Sequence, residues 1–82
     1  MQTIIDVLAE GGVLVHLREG KKESFELRDF LDEFVLWVSP TTFQTLVTKP
    51  DLLHIASKRE EADYVVTEYR LVEKRERAKE ES

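Results

Sequence analysis

Between Ser39 and Ile55 the chain reads SPTTFQTLVTKPDLLHI, and the period of its apolar positions changes partway along. Phe43, Leu46 and Val47 fall at i, i+3 and i+4 on one helical face, with Thr41, Gln44, Thr45 and Thr48 gathered opposite. Ser39 suits an N-cap and Pro40 the first helical position, so the spacing predicts a helix over 40–49 that Pro50 ends. Leu52-Leu53-His54-Ile55 then resumes as an apolar, strand-like run.

The flanking segments have periods of their own. Residues 2–10 pattern as an amphipathic helix, with Ile4, Val7 and Leu8 on one face, Gln2, Thr3, Asp6 and Glu10 on the other, and Gly11-Gly12 as its stop. Val13 to Arg18 alternates, with Val13, Val15 and Leu17 on one side and Leu14, His16 and Arg18 on the other. Ser24 to Arg28 alternates again through Phe25 and Leu27, and the turn Glu19-Gly20-Lys21-Lys22 between them predicts a hairpin. A second hairpin is predicted from 51–57 and 64–72, with Lys58 to Asp63 as its polar tip. Residues 29–38, DFLDEFVLWV, satisfy both periods. Phe30, Leu31, Phe34, Val35 and Val38 fit a helical face, while Phe34, Leu36 and Val38 fit a strand. A helical turn near 28–33 followed by an extended piece over 34–38 accommodates both, with Trp37 expected in the core beside Phe34 or Phe43, the alternative being an exposed docking residue. Phe43, Leu46 and Val47 are expected to be buried beside Ile4, Leu8 and Ile55.

At 82 residues the chain has room for one domain, placed over 1–72, and such a chain buries roughly 60–65% of its unfolded surface. Residues 73–82 hold only Ala78 as an apolar residue and read as a charged C-terminal tail. Without cysteine there is neither a disulfide framework nor a thiolate metal site. No run approaches the roughly 20 apolar residues of a membrane span. Asp6 and Glu10 precede any Lys or Arg, unlike the start of a signal peptide, so a cytoplasmic protein with no membrane partner is expected. The net charge of −5 is unevenly placed. Within 23–38, Glu23, Glu26, Asp29, Asp32 and Glu33 stand against Arg28 alone, whereas 39–58 sets Lys49 and Lys58 against Asp51.

In this order the segments VLAEGG (Val7 to Gly12), the strand with His16 and Arg18, TFQTLVTKPDLLHI (Thr42 to Ile55) and YRL (Tyr69 to Leu71) resemble the small bacterial proteins of the YjhX type. FELRDFLDEF before SPTTFQTLV is also similar to a general helix-turn-helix, with Leu27, Leu31 and Phe34 at its apolar positions. The resemblance implies an α+β, winged-helix-like single domain with two antiparallel hairpins, in which 40–49 is the recognition helix and 58–63 the wing tip. It also implies a regulatory or toxin-like role. In charge the chain departs from that pattern, because its central helix carries one Lys where the family tends to be basic.

Two functions are open to such a fold. One is a small regulator from a bacterium, phage or other mobile element that binds double-stranded DNA. Thr41, Gln44, Thr45 and Thr48 would then read base edges in the major groove, while Lys49, Lys58 and Arg59, with Lys21 and Lys22, contact phosphate. The other is a protein–protein adaptor or inhibitor that docks a basic partner protein through Glu26, Asp29, Asp32 and Glu33. A solvated face is the ordinary explanation of either set, and Glu19, Glu60 and Glu61 dilute the basic one. A homodimer is compatible with both. His16 and His54 have no third ligand at metal spacing, Ser39 is explained as a cap, and the glycines form no phosphate-cradling motif. No enzymatic activity, metal or cofactor is expected.

Overall fold

The computed structural model describes residues 2–49 and 51–72; the charged tail over 73–82 lies outside the described residues. Seven elements follow in chain order: α1 (Gln2–Ala9), β1 (Val13–Glu19), β2 (Lys22–Arg28), β3 (Phe34–Trp37), α2 (Pro40–Val47), β4 (Leu53–Glu60) and β5 (Tyr64–Leu71). All five strands join one antiparallel sheet in the order β3-β2-β1-β5-β4. β1 is its centre, pairing Leu14 with Leu27 on one side and with Tyr69 on the other.

Alternation along the strands sends Leu14, Phe25 and Leu27 to one face, where both helices lie. Ile4 and Leu8, one turn apart on α1, and Phe43 and Leu46 on α2 close over them in a single core that also takes in Val38. The ring of Phe43 sits 4.3 Å from that of Phe25 and 5.5 Å from that of Tyr69, so α2 crosses the middle of the sheet. Ser39 caps α2 as its residue type dictates. Its Oγ accepts the Thr42 N–H at 3.1 Å while its hydroxyl donates to Thr42 Oγ1 at 2.9 Å. Gly12 lets α1 end directly against β2, since a Cβ there would lie 2.7 Å from the Arg28 carbonyl oxygen. Arg70 on β5 ties down the same junction by donating to the Gly11 carbonyl at 2.9 Å.

The winged-helix expectation is overturned by this topology. A winged helix needs a second helix packed before the recognition helix, but 29–33 closes as a turn and Phe34–Trp37 pairs with β2. The two hairpins are not separate either, because β5 hydrogen-bonds to β1 and fuses them into one sheet. Three local expectations fall with it. Trp37 is 66% exposed, since its side chain lies on the face of the sheet away from both helices. Ile55 is 58% exposed because β4 is the far edge, beyond the reach of α2, and Val47 is only half-buried. Lys58 and Arg59 are not a wing tip but part of β4, and the turn is moved to 61–63, closed by the Glu61 N–H donating to the Tyr64 carbonyl at 2.8 Å.

Candidate functional site

The turn before β3 is built by one carboxylate. Asp29 Oδ1 accepts the N–H groups of Leu31 at 2.9 Å and Glu33 at 3.0 Å, and the Asp29 carbonyl accepts the Asp32 N–H at 2.9 Å. Asp32 occupies the left-handed region at φ 65°, which aspartate tolerates better than most residues. With its backbone satisfied locally, the turn needs no help from its apolar side chains. Phe30 and Leu31 at its tip are 67% and 65% exposed.

β3 then continues the apolar run with an irregularity that decides which way its rings face. Its register with β2 shifts between Leu27, which pairs with Leu36, and Arg28, which pairs with Phe34, so Val35 is the extra residue of a bulge. Residues three apart in a regular strand point to opposite faces, but the bulge resets the alternation. Phe34 and Trp37 therefore meet on the helix-free face, their ring centroids 4.9 Å apart. Phe34 is 50% and Val35 38% exposed. At the end of the strand the Val38 N–H donates to the Phe25 carbonyl at 2.7 Å. Antiparallel alternation then turns the N–H and C=O of Trp37 away from β2, toward the free edge.

Charge borders these rings. Glu26, opposite Trp37, accepts from Arg28 Nη2 at 3.0 Å, and Arg28 Nη1 donates to Asp32 Oδ1 at 3.2 Å. The hydrogen bond it donates to Glu26 holds the Arg28 guanidinium above its ordinary pKa range; partial burial opposes this and Asp32 reinforces it. Glu33 is exposed at the start of β3. Glu26, Asp29, Asp32 and Glu33 thus stand against one guanidinium, and the rim of the apolar edge is net negative. The four expected docking acids are brought to one end of the sheet, but two of them are spent on Arg28 and one on the turn. Of the apolar side chains between them, sequence reasoning offered only Trp37, and only as the alternative to a core position; Phe30, Leu31, Phe34 and Val35 it missed. The available signal was the excess of apolar residues in 30–38, more than one face of a four-residue strand can bury.

The expected DNA-contacting residues are less well assembled. Thr41, Gln44 and Thr45 are exposed on α2, Thr48 at its C-cap and Lys49 just beyond, the helix ending at Val47 rather than at 49. The Thr45 hydroxyl, however, donates to the Thr41 carbonyl at 3.0 Å and the Thr48 hydroxyl to the Thr45 carbonyl at 3.2 Å, so both donors serve the helix itself. Lys58 and Arg59 are neighbours in a strand and point to opposite faces, and Lys58 Nζ lies 3.5 Å from Glu60. They do not form a stripe with the helix.

His16 stacks on Phe25 with centroids 4.7 Å apart, and its Nε2 lies 3.0 Å from Glu23 Oε1, which places it as a packing residue. His54 is exposed on β4, opposite Arg70. No group of three His, Cys, Asp or Glu side chains among the described residues is placed to hold a metal. Among the same residues, no helix is long and apolar enough to cross a membrane.

No family model, curated protein or solved structure matches the chain.

Proposed function

We propose that this chain is a non-catalytic, cytoplasmic protein-docking module that engages a basic partner protein through the apolar edge over 30–37. One observation carries this reading. Five of the six large hydrophobic side chains exposed among the described residues, namely Phe30, Leu31, Phe34, Val35 and Trp37, fall within eight residues at one end of the sheet. With roughly 150–250 Å² on each aromatic, the cluster presents on the order of 500 Å² of apolar surface. That is at the upper end of what a monomer ordinarily leaves in water, and more than half of what one partner contributes to a standard interface of about 800 Å² per side. An apolar centre with an acidic rim is also how a docking surface is laid out.

Double-stranded DNA has less support in the geometry, because the Thr45 and Thr48 hydroxyls are engaged and the basic residues diverge. Photo-crosslinking separates the two readings. With benzoylphenylalanine at position 37, the protein should crosslink to a defined partner whose purified form reproduces the adduct, and with the same group at position 45 it should not. Crosslinks to DNA from position 45, with none from position 37, would reverse the assignment.

A further inference from the structure

We infer that the occupant of this edge is an extended, basic segment of the partner, added as a sixth strand alongside β3. The inference rests on the docking reading above and specifies the chemistry of what docks. The outward N–H and C=O of Trp37 form the start of an unpaired ladder, the feature that strand addition uses for affinity. Beside it the Phe34–Trp37 ring pair lies on the helix-free face, with Trp37 two-thirds exposed. An arginine or lysine from the added strand would lie against these rings, where a cation gains from the aromatic quadrupole.

Charge decides between a basic partner and a second copy. Glu26, Asp29, Asp32 and Glu33 against Arg28 leave the edge at −3, counted over those five residues. A second copy would bring another acidic edge to the same place, whereas a basic strand meets opposite charge at the Asp29–Glu33 end of the edge. The far edge of the sheet does not compete for such a strand in the same way, because Lys58 and Arg59 repel it.

Trp37 is the only tryptophan of the chain, so its fluorescence reads occupancy of this edge directly. The probe is a ten-residue peptide of alternating arginine and valine, titrated into the full-length protein. A second peptide replaces arginine by glutamate, and a third keeps arginine but is N-methylated at alternate residues. The arginine peptide should shift the Trp37 emission to the blue and saturate, and the glutamate peptide should not. N-methylation should weaken binding about tenfold or more, because it removes backbone donors and leaves the charge in place. Glu33→Lys, a change at an exposed side chain, should weaken the arginine peptide about threefold.

Equal binding of the methylated peptide would overturn strand addition while leaving the docking surface standing. Equal binding of the glutamate peptide would overturn the choice of a basic partner. If no peptide moves the emission, the inference falls, and the crosslinks from position 37 then decide the docking reading on their own. A blue shift that follows protein concentration alone, with a doubled mass in sedimentation, would assign the edge to a second copy and also end the inference.

Discussion

Among the described residues, β3 and β4 are the two edges of the sheet, but β3 borders its edge with Phe34, Val35 and Trp37, and β4 with Ser57, Lys58, Arg59 and Glu60. Both strands are exposed and both carry a register shift, near Val35 in β3 and between Ile55 and Ser57 in β4. Exposure therefore does not distinguish them; chemistry does. Eight residues of open edge would template aggregation if left apolar, and β4 carries the charges that natural sheets use to prevent this. β3 has only four residues and is lined with aromatic and aliphatic groups whose burial inside this chain the fold does not provide. The difference is one of chemistry, a charged edge on β4 and an apolar one on β3, and it is what the docking proposal rests on.

The largest effect should come from beneath the apolar edge. Leu27 is fully buried on β2 and pairs with Leu36 of β3. Leu27→Ala should cost about 2–5 kcal/mol in a denaturant titration, through lost burial and the cavity left behind. A cost under about 1 kcal/mol would show that the β2–β3 pairing is not anchored in the core.

Asp29→Ala comes next. It removes an acceptor for two backbone N–H groups and should cost about 1–2 kcal/mol. Amide exchange should accelerate at Leu31, Glu33 and along β3 while β4 is unchanged, and Asp29→Asn, which keeps the acceptor, should recover most of the loss. Equal acceleration at both edges would mean that the turn holds the whole sheet rather than one side of it.

Trp37→Lys sharpens the comparison from the other direction. Stability should stay within about 0.5 kcal/mol, because the ring is mostly in solvent, while binding of a fluorophore-labelled arginine peptide, read by anisotropy, is lost. A melting temperature that falls along with binding would return Trp37 to a structural role.

The smallest effect is expected on β4. Lys58→Ala should change stability by a few tenths of a kcal/mol, since its pairing with Glu60 is exposed and 3.5 Å long. Lys58→Val combined with Arg59→Val should be similarly mild for folding, yet should produce concentration-dependent association on a sizing column. If this doubly altered edge stays monomeric, its charges are not what keeps β4 unpaired.

Much of the local architecture was legible from pattern. The i, i+3, i+4 spacing of Phe43, Leu46 and Val47, capped by Ser39 and Pro40, located α2, and the alternation from Val13 to Arg18 and from Ser24 to Arg28 located the first hairpin. The 29–38 stretch was legible only as a contradiction, because a run apolar at nearly every position fits a helix and a strand equally. Assigning Trp37 to the core assumed that every large apolar residue is buried by its own chain, and the edge position of β3 breaks that assumption. Glu26, Asp29, Asp32 and Glu33 are neighbours in sequence, but their engagement with Arg28 and the turn amides is a matter of contacts that apolar and polar periods do not encode.

What the sequence determined by itself was set by neighbours a few residues away: periods, the Ser39 cap and the glycine stop after α1. These arise from side chain to backbone bonds and from the geometry of single elements, which a short window contains. Only the tertiary structure decided that β5 lies against β1, that the hairpins form one sheet instead of a helix-turn-helix with a wing, and that a bulge at Val35 puts Phe34 beside Trp37. Strand order and register are choices between residues far apart in the chain, made by which pairing buries Leu14, Leu27 and Leu46 together. A linear pattern gives the faces that must be buried; the partner that covers each face is chosen only when the whole core closes.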